Sequence, residues 1–230
     1  MGTAQNHLIA RLPDAARLRL MALCEPVQLG LSEVLCEPGG MTPYVYFPVD
    51  GFISLVSRVD AHPGLEVGMV GREGMFGAHV CLGVAASPLR AVVQGRGAAW
   101  RIDSMRFRRE VARNAAMQAQ INRYRYVLMA QLANASACVR FHQIEPRLAR
   151  WLLMSQDRAH ASSFLMTHEF LAYMLGVRRV GITTAAGTLQ RSGLIEYARG
   201  HLTVLDRSGL EAAACSCYAT DRQIYADHLH

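Results

Sequence analysis

The chain has 230 residues, 51% of them hydrophobic and 18% charged, with a net charge of +6 at pH 7. That length allows one large domain or two ordinary ones, and the composition argues against wholesale disorder. No apolar run approaches the roughly 20 residues of a membrane span, and no GxSxG, HExxH, Walker or nicotinamide fingerprint supports an enzyme.

The opening MGTAQNHLIARLPDAARLRL lacks a basic patch followed by an apolar stretch, so no secretory signal is expected. Met1-Gly2 lacks the Ser/Thr of a myristoylation site. Leu8, Leu12, Ala15, Leu18 and Ala22 recur at helical spacing, punctuated by Pro13, so residues up to about Leu23 read as helix. From about Gln28 the texture changes to short runs, LSEVLCEPGG, YVYFPVDGFISLVSRV, LEVGMVGREGMFG and LRAVVQGRGAAWRI, separated by turn residues. Alternation of Phe52, Ser54 and Val56 against Ile53, Leu55 and Ser57 points to an antiparallel sandwich or barrel of the jelly-roll type, ending near Asp103.

Asp103 or Ser104 then reads as an N-cap, and a long helical tract follows. Met117, Ile121, Tyr124, Leu128, Gln131, Ala135 and Cys138 step by fours and threes, with only Gln131 polar. Such a helix could pack on its own β domain. At about 30 residues, roughly 45 Å, it outruns a small barrel, which favours an intersubunit coiled coil built on Met117, Ile121, Tyr124, Leu128, Ala135 and Cys138. Glu145-Pro146 breaks the tract and starts a new helix, PRLARWLLMSQDRA, followed by a polar loop from His160 to Ser163.

Thr167 is a natural N-cap for HEFLAYML. Two steeply crossing helices need a small residue at their contact, a left-handed turn four positions on, and apolar side chains closing a miniature core. Ala172, Gly176, and Leu171, Leu175, Val177, Ile182 and Ala185 fill those positions. This is a helix-turn-helix pattern, in which the second helix presents its N-terminal end to the DNA major groove. Arg178, Arg179, Gly181, Thr183 and Thr184 lie on its polar face, where Arg can read guanine and Thr a thymine methyl. Thr167 and His168 suit backbone phosphates. Gly193 ends the helix, and Ile195–Tyr197 and Leu202–Val204 read as a hairpin wing with Arg199 and His201 at its tip; Leu210 to about Tyr225 reads as a terminal helix. The net positive charge agrees with a polyanionic partner.

None of the six cysteines, Cys24, Cys36, Cys81, Cys138, Cys215 and Cys217, forms a CxxC pair, and no His pair follows at zinc spacing. Cys215-Ser216-Cys217 is a weak CxC motif. Reduced thiols and no metal site are expected.

A β-roll, a long stem helix and a winged helix in this order resemble the Crp/Fnr family of bacterial transcription regulators, most specifically over Thr167 to Asp206, with LGVRR, LQRSGLI and the hairpin. The resemblance implies an α+β chain: a cyclic-nucleotide-binding-like β-roll at 1–103, a dimerisation helix at 104–144 and a winged helix-turn-helix domain at 145–230. It implies a cytoplasmic homodimer reading a palindromic operator in double-stranded DNA, with RNA polymerase as a partner and a small-molecule effector acting through the roll. Arg179 matches the family's guanine-reading Arg. Val180 replaces a Glu and Thr184 a later Arg, so a different half-site is expected. Gly71 to Gln94 resembles the nucleotide cassette: Gly74, Phe76 and Gly77 match its turn, and Arg90 and Ala91 match the phosphate Arg and its neighbour. Ala78 or His79 stands where a Glu would hold the ribose hydroxyl, a loss of about 1–3 kcal/mol, so cAMP and other cofactors are not expected. Cys24 and Cys36 alone cannot ligate an iron–sulfur cluster, and His79 and Cys81 read as structural rather than haem-ligating. The alternative is a small-molecule or redox sensor whose winged helix contacts protein.

Overall fold

The computed structural model describes residues 6–60, 62, 64–159 and 161–229; Met1, Gly2 and His160 lie outside them. The predicted N-terminal helix is two helices, α1 (His7–Ala10) and α2 (Asp14–Met21), because Pro13 takes the cap position between them. Asn6 anchors α1: its Oδ1 accepts from Leu8 N–H at 3.0 Å, and its Nδ2 donates to the carbonyls of Pro48 and Gly74 at 2.9 and 2.7 Å.

Strands β1 (Glu25–Leu29), β2 (Val34–Cys36), β3 (Tyr44–Pro48), β4 (Phe52–Ser57), β5 (Leu65–Val70), β6 (Arg90–Gly95) and β7 (Gly97–Asp103) form two antiparallel sheets, β1-β7-β3 and β2-β6-β4-β5. A short 3-10 helix, Ala78–Leu82, lies between β5 and β6. Ile53, Leu55, Val70, Ala91 and Val93 fill the interior of the roll. Phe52, Val56, Met69 and Val92, on the opposite face of the same sheet, join a core with α5 and the C-terminal helices. This second sheet is therefore buried on both sides, and β4 carries apolar residues at both phases of its pleat.

The predicted stem divides into α3 (Ser104–Ala112), capped by Asp103, and α4 (Ala115–Phe141). Neither Pro nor Gly marks the break; the Asn114 side chain caps Met117 N–H and ends the run. The coiled-coil expectation needs correction. Met117, Ile121, Tyr124, Ala135 and Cys138 are buried within their own chain, Leu128 packs against its cores, and Tyr124 donates to the Met75 carbonyl at 3.0 Å. Gly74 leaves room for this, since a Cβ there would lie 2.5 Å from the Tyr124 hydroxyl. The apolar seam is thus satisfied by the roll and by α9 (Cys217–His228), which lies along α4. Gln131 is sealed against Gly68, and neither end of its amide has a hydrogen-bond partner.

After α5 (Ile144–Ala159) come β8 (Ser163–Leu165), α6 (His168–Leu175), α7 (Arg179–Arg191), β9 (Ile195–Ala198), β10 (His201–Val204), α8 (Arg207–Ala213) and α9. The polar loop ending at Ser163 runs into β8, an edge strand paired with β10, which was not foreseen. Asp221 on α9 pairs with Arg150 at 2.6 Å and accepts from Asn134 at 2.8 Å, pinning α9 between α5 and α4. Trp151 Nε1 donates to Glu66 at 2.8 Å, and Ser54 also donates to that carboxylate, tying α5 to the roll. Among the described residues, no helix is long and apolar enough to cross a membrane.

Candidate nucleic-acid interface

Helix α6 begins at Thr167, whose Oγ1 accepts from Phe170 N–H at 3.1 Å, leaving its hydroxyl proton available to a phosphate. It ends at Gly176, with φ 62° and ψ 41°, where Val177 N–H reaches back to the Ala172 carbonyl at 3.0 Å. That left-handed cap turns the chain sharply into α7. Ile182, Ala185, Ala186 and Leu189 point into the shared core with Leu148, Leu152 and Leu171. The opposite side of α7 exposes Arg178, Arg179, Val180, Thr183 and Thr184 in one row. Arg178, with an extended backbone, occupies the cap position of α7, so its side chain and that of Arg179 flank the positive end of the helix dipole. A bound polyanion would relieve the resulting concentration of positive charge.

The two threonines are partly committed. Thr183 Oγ1 donates to the Arg179 carbonyl at 3.2 Å and Thr184 Oγ1 to the Val180 carbonyl at 3.1 Å, leaving their methyl groups and lone pairs for base edges. Because the Thr183 proton is used, His168 Nδ1 is the donor in its 3.0 Å contact with Thr183 Oγ1. The His168 ring also stacks on Tyr197 at 4.3 Å between centroids. Burial, then the charge of Arg179, holds the imidazole below its ordinary pKa. His168 is therefore a strut between α6, α7 and the wing, correcting the expected phosphate contact. Gly181 is corrected too: it faces inward, and a Cβ there would come 2.6 Å from Ile144 Cδ1.

The wing is β9 and β10, paired from Ile195↔Val204 to Ala198↔His201. Arg199 and Gly200, at φ 52° and 83°, make a two-residue turn with both residues left-handed, the hairpin geometry that matches strand twist. Arg199 and His201 are exposed at its tip. Gln190 at the far end of α7 accepts from Tyr197 N–H at 2.9 Å, fixing the wing relative to the helix.

The effector-pocket candidates do not assemble into a cradle. Tyr124 occupies the space beside Gly74, Phe76 exchanges both backbone bonds with Tyr46, Gly77 abuts Val45, and Ala91 is buried in the sheet. Arg90 pairs with Glu37 at 3.1 Å rather than facing a free anion site. A cyclic phosphate does not fit these residues. His79 Nε2 is engaged by Thr42 Oγ1 at 2.9 Å. A cavity of about 300 Å³ lies elsewhere, between the roll, α5 and α9, beside the Glu73–Arg158 ion pair.

All six cysteines are free, as expected of reduced thiols, but they are not all dispersed. Cys138, His142, Cys215 and Cys217 meet where α4 ends, with all four candidate ligand atoms within 4.8 Å of one another. The separation along the chain hid this, since Cys138 and Cys215 are 77 residues apart. The available signals were the one-turn spacing of Cys138 and His142 and the CxC pair.

Residues 146–213 match the model of the Crp-like helix-turn-helix domain. None of the curated proteins matches the chain in sequence. Solved structures with the same fold include FixK2 from Bradyrhizobium japonicum, 13% identical, covering 84% of this chain and 98% of that one with a TM-score of 0.70. A Crp/Fnr-family transcriptional regulator from Thermus thermophilus is 20% identical, with coverages of 83% and 98% and a TM-score of 0.67. CLP, a c-di-GMP-responsive global regulator from Xanthomonas campestris, is 14% identical, with coverages of 84% and 100% and a TM-score of 0.68. The chain thus carries a Crp-like helix-turn-helix domain within the fold of the Crp/Fnr transcription regulators.

Proposed function

We propose that this chain is a sequence-specific DNA-binding regulator that acts in the cytoplasm as a homodimer on a palindromic operator, with RNA polymerase as its downstream partner. The observation that carries the reading is the exposed row Arg178, Arg179, Val180, Thr183 and Thr184 on a helix whose other side is sealed in the core. Arg179 reads guanine O6 and N7; Val180 and the threonine methyls favour thymine. Thr167, Arg199 and His201 contact phosphate. The partner seam is the outer face of α4, where the exposed Ala119, Asn122, Tyr126, Met129, Ala133 and Ser136 step by threes and fours. Two α7 helices then meet half-sites about 34 Å apart. A small-molecule effector would act by favouring the orientation that presents both helices together.

Selection of bound sequences from a random DNA pool tests this directly: a two-fold symmetric motif with a guanine in each half is expected. Arg179→Ala is expected to cost about 1–3 kcal/mol of operator binding and to relax preference at that guanine. No enrichment, or an Arg179→Ala affinity unchanged at matched salt, overturns the reading.

A further inference from the structure

Four side chains from two distant stretches converge at the lower end of the stem. Cys138 and His142 stand one turn apart at the end of α4, while Cys215 precedes α9 and Cys217 is its first residue. Cys138 Sγ lies 3.5 Å from Cys215 Sγ, and Cys217 Sγ lies 3.5 Å from His142 Nδ1. A tetrahedral zinc, with bonds of about 2.3 Å to sulfur and about 2.0–2.1 Å to nitrogen, sets its ligand atoms roughly 3.5–3.8 Å apart. The observed set, all within 4.8 Å, needs only small side-chain rotations to meet that frame. An iron–sulfur cluster distributes its thiolates over separate irons and needs a wider one.

The surroundings supply matching charge. Arg147 is buried beside the cysteines, and its guanidinium donates to the Leu175 carbonyl; among the described residues no carboxylate pairs with it. Three thiolates and one neutral imidazole on a divalent ion carry a net charge of −1, which would offset that buried cation. All three sulfurs are buried, so the set has the closed character of a structural site rather than the open position of a catalytic one.

We propose that Cys138, His142, Cys215 and Cys217 form a structural site for a thiophilic divalent cation of the zinc class, which clips α9 to the end of α4. Binding releases the thiol protons to solvent and forms three metal–sulfur bonds and one metal–nitrogen bond, with no change of oxidation state. The clip lies at the junction between α4 and α5, where the stem passes into the reading domain, and it joins residues on both sides of that domain. The site does not depend on DNA binding.

The test is titration of the reduced, chelator-stripped full chain with cobalt(II) under anaerobic conditions. One cobalt per chain is expected, with the visible bands of tetrahedral cobalt, thiolate-to-cobalt charge transfer in the near ultraviolet, and displacement of both by zinc. Cys217→Ser should weaken cobalt binding by at least the roughly 10–100-fold lost when groups that merely orient metal ligands are removed. Cys24→Ser should leave the titration unchanged. The wild-type titration needs no variant to fold. Absence of a saturable tetrahedral spectrum overturns the proposal. So does a Cys138–Cys215 disulfide in metal-free native protein, an iron–sulfur spectrum before cobalt is added, or a Cys217→Ser titration identical to wild type.

Discussion

Helices α4 and α7 each carry an apolar stripe on one side, yet their free sides differ in kind. On α7 the free side is cationic and hydroxylic: Arg178, Arg179, Thr183 and Thr184 stand exposed above a sealed Ile182, Ala185 and Leu189. On α4 the stripe from Met117 through Tyr124 to Cys138 is sealed by the roll and by α9, and the free side presents small residues around Tyr126 and Met129, 48% and 61% exposed. The lesson is that an apolar stripe shows that a helix is covered, not which chain covers it. The residues left outside say more about a partner, and they are what the proposed polyanion at α7 and the proposed helix partner at α4 rest on.

The largest effect should separate the two faces of α4. Tyr124→Ala removes a fully buried ring and orphans the Met75 carbonyl, and is expected to cost about 3–5 kcal/mol of stability in urea unfolding. Met129→Glu on the outer face should leave monomer stability nearly unchanged while shifting sedimentation from dimer to monomer. If Tyr124→Ala is mild, or Met129→Glu unfolds the chain, the assignment of faces is wrong.

The next effect sharpens how firmly α5 is fastened to the roll. Burial, only partly opposed by hydrogen bonds from Ser54 and Trp151, pushes the Glu66 carboxyl from 4.5 up to about 7. A folded pKa above the unfolded one means the folded state holds the proton more tightly, so stability falls as pH rises from about 4.5 to about 7. The full window corresponds to at most about 3 kcal/mol, less because Glu66 keeps some solvent contact. Glu66→Gln should flatten that slope, raising the melting temperature at pH 8 and changing it little at pH 4. A parallel pH dependence in both proteins would remove Glu66 as its source.

The smallest effect concerns the one polar residue of the inner stripe. Gln131→Leu replaces a buried amide that has no partner at either end, and a gain of about 1–2 kcal/mol in urea unfolding is expected. A loss would show that the amide is held by a group not among its protein neighbours.

The helix-turn-helix was legible because its geometry restricts residues one by one: Thr167 caps, Ala172 permits close approach, and Gly176 alone tolerates its left-handed backbone. The β-roll was legible from turn residues and alternation, although β4 is apolar at both phases because two cores share it. The break at Asn114 was not, since a side-chain cap interrupts the stem without Pro or Gly. Strand β8 was missed because its pairing comes from β10, well beyond any local pattern. Of the residues proposed to read DNA, Arg178, Arg179, Thr183 and Thr184 are exposed along one side of α7. His168 and Gly181 are not, because their contacts with Thr183, Tyr197 and Ile144 arise only in three dimensions.

The sheet buried on both sides has a mechanical consequence. Phe52, Val56, Met69 and Val92 share one core with α5, α6 and α7, so the helix-turn-helix is packed against the roll rather than tethered to it. Close-packed surfaces of this kind separate all at once or not at all. Cooling, which weakens apolar burial, should loosen this joint sooner than one held by ion pairs. The joint between the roll and the helices is thereby a packed seam rather than a flexible tether, and its opening is expected to be cooperative.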